Sequence, residues 1–263
     1  MTVAEALRAA SIDPRDARLL LAAATGLSEA GVVGFPERPV SADAESRFLE
    51  HCQRRRKGEP LAYILGRKEF YGMQLEVNPA VLVPRPETEL LVELALQRDF
   101  STVADLGTGS GAVALAIRRE RPGARVIAVE ESPAALAVAQ ANARKHHLEI
   151  DFRLGHWFLP LAGERVDLIV ANPPYVAEGD PHLPELRYEP QEALLAGPDG
   201  LAAIREIVRE APGFLASGGW LLLEHGLGQE AAVRELFRGA GLEAVHSWPD
   251  LAGIPRVTGG RVK

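Results

Sequence analysis

From Ser101 onward, short apolar runs alternate with stretches whose apolar residues recur at helical spacing, and this alternation restricts the fold more than any other feature. The pattern predicts strands at 102–106, 125–129, 150–154, 166–170 and 220–224, with weaker ones near 243–247 and 256–262. Between them it predicts helices at 111–119, 134–145, 201–211 and 229–239. Such alternation gives parallel strands with helices on both faces, an α/β architecture. In open sheets of this kind, ligands bind at the carboxyl ends of the strands. Two of those ends carry unusual sequence.

The first is Asp105-Leu106-Gly107-Thr108-Gly109-Ser110-Gly111-Ala112, at a strand-to-helix turn. Glycines let the backbone turn tightly and approach a ligand, and the helix start offers free N–H donors. Gly107, Gly109 and Ala112 satisfy the G-x-G-x-x-G/A dinucleotide pattern. Glu130 ends the next strand at the spacing expected of an acid that accepts ribose hydroxyls. The turn, with Gly107, Thr108, Gly109 and Gly111 as contacts, therefore expects a nucleotide-type cofactor and leaves S-adenosylmethionine and NAD both open. Asp105 favours the former. A carboxylate before the glycines would repel a pyrophosphate, but through water or backbone it suits a cationic, amino-acid-bearing cofactor; its plainer role is to cap the turn. Trp157, after the third strand, is placed either to pack on adenine or to fill the core.

The second is Ile169-Val170-Ala171-Asn172-Pro173-Pro174-Tyr175. Prolines lack a ladder donor and have φ fixed, so the chain leaves the sheet rigidly here and displays Asn172 and Tyr175. A planar amide or exocyclic amine nitrogen is a poor nucleophile because its lone pair is delocalised. Two acceptors aimed at its N–H bonds, the Asn172 side-chain oxygen and the Pro173 carbonyl, would hold it and favour pyramidalisation. They would also stabilise positive charge developing as a sulfonium loses its methyl. Tyr175, with Pro174, would pack against the planar group. Together with the glycine turn, the loop predicts methylation of a planar –NH₂. The long stretch 176–200 lacks periodicity, and a loop of that length is usually functional.

The single cysteine, Cys52, excludes an intrachain disulfide and a Cys₄ zinc site. No histidine belongs to an H-x-x-x-H or H-E-x-x-H pair, so no metal site is expected. Ser110 lacks a G-x-S-x-G elbow and is no hydrolase nucleophile. Neither a signal-peptide core nor a membrane-spanning run is present, so the expectation is a soluble cytoplasmic protein. A net charge of −7 argues against a broad electrostatic footprint on nucleic acid. The cationic run Arg54-Arg55-Arg56-Lys57 fits a solvated helix end.

Residues 1–66 are predicted to form a small helical domain, either for packing or for recognising a macromolecular substrate. Asp13-Pro14 marks an N-cap and first turn, Gly26 a stop, and Ser41 the cap of a helix running through Arg56. Residues 67–86 are predicted to be a hairpin linker, with strands at 73–77 and 80–83 around Asn78-Pro79. A helix is expected from Glu87 to Leu96, in a domain spanning 87–263. The stretch around its start is either simply a rigid connection or, from its place between the domains, a segment that brings Arg85 or Glu87 to an active-site rim.

Asp105-Leu106-Gly107-Thr108-Gly109-Ser110-Gly111 with Asn172-Pro173-Pro174-Tyr175 resembles the class I S-adenosylmethionine methyltransferases that modify planar nitrogens. Phe70-Tyr71-Gly72, Val83-Pro84-Arg85-Pro86-Glu87-Thr88-Glu89, Leu223-Glu224-His225-Gly226 and Arg256-Val257-Thr258 narrow the resemblance. Together they are similar to the peptide-chain release factor N5-glutamine methyltransferases, often called PrmC or HemK, over nearly the whole chain. The resemblance implies a Rossmann-like, seven-stranded mixed sheet behind a small N-terminal helical domain. It implies methylation of the glutamine in the Gly-Gly-Gln segment of class I release factors. S-adenosyl-L-methionine would be the donor and S-adenosyl-L-homocysteine the product, with no metal. Carried over by position, the glycine turn and Glu130 would bind the cofactor, Trp157 would border its adenine, and Asn172 with Pro173 would hold the substrate amide. This chain departs from the family in having Glu130 where Asp is common, and His156 where Asp often precedes the tryptophan. Ala252-Gly253-Ile254-Pro255 also replaces a more polar stretch. The rivals are a DNA or RNA methyltransferase acting on adenine N6 or guanine N2, a sensor that has lost catalysis, and a dehydrogenase.

Overall fold

Short polar residues at loop-to-helix junctions set where the first helices begin. In α1 (Val3–Ala9) the Thr2 hydroxyl accepts the Glu5 N–H while the Glu5 carboxylate accepts that of Thr2, a reciprocal cap. Asp13 caps α2 (Pro14–Thr25), which stops at Gly26 with φ 73°. Ser28 caps α3 (Glu29–Gly34), and Ser41 caps α4 (Ala42–Arg56); α5 (Leu61–Leu65) follows. The computed structural model describes all 263 residues, and they divide into two units, Met1–Arg67 and Lys68–Lys263. The helices of the first unit close over Val3, Ala6, Leu20, Leu21 and Phe48. Its cationic run is spent locally: Arg54 pairs with Glu59, Arg55 with Asp16, and Arg56 donates to the Cys52 carbonyl.

The hairpin lies earlier in the chain than the pattern predicted. Strands β1 (Arg67–Phe70) and β2 (Met73–Glu76) meet around Tyr71 and Gly72, whose φ angles of 48° and 69° make the two-residue turn that matches strand twist. Residues 80–83, expected as the second strand, are irregular, because the Val83 N–H is taken by the Glu189 carboxylate instead of a neighbouring strand. Pro86–Thr88 forms a 3₁₀ turn leading into α6 (Glu89–Leu96), where one helix from Glu87 was expected.

The remaining elements are β3 (Thr102–Leu106), α7 (Ala112–Glu120), β4 (Arg125–Glu130), α8 (Pro133–His146), β5 (Asp151–Leu154), β6 (Val166–Ala171), α9 (Ala202–Glu210), β7 (Leu215–Glu224), α10 (Glu230–Gly239), β8 (Glu243–Pro249) and β9 (Pro255–Arg261). The strands form one seven-stranded sheet in the order β5-β4-β3-β6-β7-β9-β8, parallel except for β9, which runs against both neighbours. Successive side chains point to opposite faces. Val103, Val126, Leu168 and Leu222 pack on one face with Leu91, Leu115 and the hairpin's Phe70 and Leu75. Ala104, Ile127, Ile169 and Leu221 pack on the other with Ile204, Ile207, Val233 and Phe237. Burial on both faces is why the central strands read as unbroken apolar runs. This is the Rossmann-like, seven-stranded mixed sheet that the resemblance implies. No helix is long and apolar enough to cross a membrane.

One consequence of the strand order positions the site. After β3 the chain builds outward to β4 and β5, then returns to lay β6 on the other side of β3. Leu106 is thereby paired with Ala171. The next residues, Gly107 and Asn172, leave the sheet side by side at the point where the order reverses, where a crevice opens.

Candidate active site

The glycine turn is held to the neighbouring strand β4 by the N–H groups of Gly107 and Thr108, which both donate to the Val129 carbonyl at 2.9 and 3.0 Å. Gly107, Gly109 and Gly111 have φ of 71°, 56° and 84°, in the left-handed region that glycine enters without strain. At Gly107 a Cβ would come within 3.0 Å of the Trp157 ring, so the glycine is what lets the indole lie over the turn. At Gly111 a Cβ would meet Leu115 and Ala139, so that glycine serves helix packing and does not border the crevice.

Glu130 is fixed by two backbone donors, Gly109 N–H at 2.8 Å and Ser132 N–H at 3.0 Å. A carboxylate has about four acceptor sites, which leaves capacity for ligand hydroxyls. Asp105 lies beneath the turn, only 2% exposed, accepting the Thr108 hydroxyl at 2.6 Å and the Ala114 N–H at 3.2 Å. Burial pushes its pKa up to about 7 despite those two bonds, with the Glu130 charge adding to the rise. Capping and facing the crevice are both true of it.

These groups line a cavity of about 570 Å³. Of the residues expected from sequence, Asp105, Gly107, Thr108, Gly109, Glu130, Trp157, Asn172, Pro174 and Arg85 border it. Gly111, Pro173 and Tyr175 do not, and Glu87 is exposed at the start of the 3₁₀ turn, outside the lining. Trp157 is half-buried with φ 37°, and its indole Nε1 is buried with no partner. His156, beside the indole, bridges Glu131 at 2.8 Å and Glu206 at 3.1 Å. Burial opposes a charge on its ring, but the two carboxylates outweigh it and the pKa rises.

At the second strand end, Asn172 Nδ2 donates to Thr88 Oγ1 at 3.1 Å, and its Oδ1 is buried with no partner. A buried acceptor left open costs free energy unless a ligand fills it. The Tyr175 hydroxyl donates to Glu224 Oε1 at 3.2 Å, and burial together with that carboxylate pushes the phenol's pKa up. The long loop folds back through the Val176–Leu195 bridge and is pinned by Glu189. That buried carboxylate accepts the Val83 N–H at 3.0 Å and Arg85 at 2.5 Å, so Arg85 is an anchor of the cavity wall. No group of three or more His, Cys, Asp or Glu side chains is placed to hold a metal.

Thr88, Glu189 and Glu224 were not singled out from sequence. Thr88 and Glu224 lie in two of the segments that carry the family resemblance, which was the available signal; nothing in the aperiodic loop marked Glu189.

The cavity's fit to an adenosyl cofactor rests on its chemistry. It offers a glycine cradle where a Cβ at Gly107 would crowd the indole, a carboxylate suited to ribose in Glu130, the indole itself, and a buried carboxyl for a cationic group. Residues 86–184 match the family model of the methyltransferase small domain, and residues 2–66 that of the PrmC N-terminal domain. A release factor glutamine methyltransferase of Burkholderia pseudomallei is 49% identical, covering 99% of this chain and 96% of its own length. One from Pseudomonas aeruginosa is 50% identical, covering 94% and 91%. Among solved structures, a 16S rRNA N2 methyltransferase of T. thermophilus in complex with AdoMet and guanosine matches with a TM-score of 0.56 at 24% identity. It covers 75% of this chain and 50% of that one, a likeness of fold alone. With about half its residues shared along nearly the whole of both relatives, the chain belongs to the release factor glutamine methyltransferase family.

Proposed function

We propose that this protein methylates the side-chain amide nitrogen of the glutamine in the Gly-Gly-Gln segment of class I release factors. S-adenosyl-L-methionine is the donor, and S-adenosyl-L-homocysteine is left behind. The observation that carries this reading is the buried, unpartnered Asn172 Oδ1 on the cavity wall beside the glycine turn. An amide –NH₂ brings two N–H donors; Oδ1 would accept one, and the Pro173 carbonyl, outside the lining but between the lining residues Asn172 and Pro174, would accept the other. When bound, the cofactor supplies an electrophilic methyl carbon on a sulfonium. The chain's own contribution is to hold the nitrogen in line at ~3–3.5 Å, which removes much of the barrier as positioning. As positive charge grows on the nitrogen, its N–H bonds become stronger donors, so the two acceptors bind the transition state more tightly than the ground state. No strong base is needed before attack, because the amide turns acidic only once methylated.

Glu130 would accept the ribose hydroxyls, Trp157 would border the adenine, and Asp105 would face the cationic amino-acid end. Gly107, Thr108 and Gly109 would pack along the cofactor, with Pro174 and Arg85 on the wall toward the substrate. The helical unit would recognise the release factor, with the hairpin as linker, and the reaction would take place in the cytoplasm with no metal.

A radiolabelled methyl-transfer assay on a release factor, its Gln→Ala variant and total nucleic acid tests the reading. Label on the release factor that vanishes in the Gln→Ala variant is the expected result. Incorporation into nucleic acid alone would instead establish a base amino group as the substrate.

A further inference from the structure

Strands β6 and β7 run side by side with Ala171 opposite Leu223, so Glu224, the last residue of β7, lies beside Asn172 as that residue leaves the sheet. Asn172 borders the cavity, whereas Glu224 does not; it is sealed at 1% exposure. Two hydroxyls converge on its carboxyl. Tyr175 donates to Oε1 at 3.2 Å. Burial pushes the carboxyl's pKa up to about 7, and the Thr88 hydroxyl, which lies against it, works the other way, although Oε2 has no partner of ordinary hydrogen-bond geometry. Thr88 Oγ1 in turn accepts the Asn172 Nδ2–H at 3.1 Å.

The sense of this chain matters. Above about pH 7 the carboxyl is ionised, so it accepts and cannot donate; there it draws the Thr88 hydrogen toward itself and leaves a Thr88 lone pair for the Asn172 –NH₂. The carbonyl end of Asn172 is then the end left for the cavity. Were the Thr88 hydrogen turned to Asn172, the amide would flip and present donors to a substrate that itself brings N–H donors. Among neighbouring charges, Arg256 favours the carboxylate and Glu87 opposes it.

We propose that Glu224 is a positioning residue for methyl transfer. Through the Thr88 and Tyr175 hydroxyls it fixes which end of the Asn172 amide meets the substrate nitrogen and holds the loop that carries that amide. This rests on the reaction proposed above. Glu224 touches neither substrate nor cofactor, so its effect is on geometry at the reacting nitrogen and not on binding.

The test is Glu224→Gln, which keeps the shape but adds an –NH₂ that donates to Thr88 and reverses the chain. The expected result is a fall in kcat of about 100-fold, the scale of a misplaced reacting group. The KM for release factor, the cofactor Kd and the unfolding temperature should stay near wild type. Glu224→Asp, which restores an acceptor, should recover part of kcat. Thr88→Val should lower kcat and add nothing to Glu224→Gln, since both cut the same arm. Wild-type kcat in Glu224→Gln overturns the proposal, as does a loss confined to cofactor Kd or stability. Should Glu224→Gln fail to fold, Thr88→Val decides alone, and an unchanged kcat there overturns it. A wild-type enzyme that leaves the release factor unmethylated would overturn the reaction itself and this proposal with it. An active wild type with an equally active Glu224→Gln would overturn this proposal only.

Discussion

Asp105 and Glu224 are two carboxyls sealed within one sheet, 2% and 1% exposed, each pushed by burial to a pKa of about 7. Both take a hydroxyl hydrogen bond, from Thr108 and Tyr175 respectively. They differ in what lies on their far side. Asp105 borders the cavity and would meet a ligand's charge, whereas Glu224 is turned toward the side chains that frame the reacting loop. The same physical perturbation can therefore serve binding at one strand end and alignment at the other. A shifted pKa alone would not tell them apart.

The largest expected effect lies on the alignment side. Asn172→Ala should reduce methyl transfer by about 1000-fold, the scale of losing a preorganised transition-state contact, while calorimetry finds cofactor affinity unchanged. Wild-type turnover on a release factor would remove Asn172 from the mechanism. Next, Asp105→Asn should weaken cofactor binding by about 1.5–3 kcal/mol, roughly 10–100-fold in Kd, the range for a hydrogen bond to a charged group. The release-factor KM should not change. An equal loss in Glu224→Gln would collapse the distinction between the two carboxyls.

A pH effect sharpens the same contrast. Asp105 holds a proton in the free protein below about pH 7, and a cationic ligand favours its carboxylate. Cofactor affinity should therefore rise with pH up to about 7, with a proton released on binding, measurable by calorimetry in buffers of different ionisation enthalpy. Asp105→Asn should abolish the release, and Glu224→Gln should not. In stability the sign runs the other way. Both folded pKa values lie above their ordinary 3.8 and 4.5, so the folded chain holds more protons than the unfolded one up to about pH 7. Their contribution is fully present at acid pH and is lost as pH rises through about 7. A ligand-free unfolding temperature that fails to flatten in this window when both are replaced by amides would count against the shifts.

The smallest effect separates two glycines of one turn. Gly111→Ala should cost about 1–2 kcal/mol of stability, from positive φ and crowding against Leu115 and Ala139, with cofactor affinity retained. Gly107→Ala, which drives a methyl toward Trp157, should lose cofactor affinity as well. Equal affinities in the two variants would mean that the indole is not part of the site.

The α/β alternation, the helix caps at Asp13 and Ser41, the glycine turn and the proline exit were all legible in the chain, because each is a local constraint on φ, hydrogen-bond donors or burial. The hairpin was misplaced because the positive φ of Tyr71 has no sequence signature, whereas Asn78-Pro79 has the composition of a turn. Glu87 was expected at the rim from the place of its segment between the domains, yet the 3₁₀ turn leaves it outside the cavity and buries Thr88 instead.

Sequence alone determined that a strand would end in Gly107 and another in Asn172, since side-chain alternation, glycine freedom and proline rigidity act over a few residues. Only the tertiary structure decided that these two ends lie side by side, 65 positions apart in the chain, because pairing β6 beside β3 depends on the return of the chain across the sheet. It decided likewise that Thr88, Tyr175 and Glu224 would meet behind Asn172. No local pattern encodes which buried acceptor a hydroxyl from another element will find.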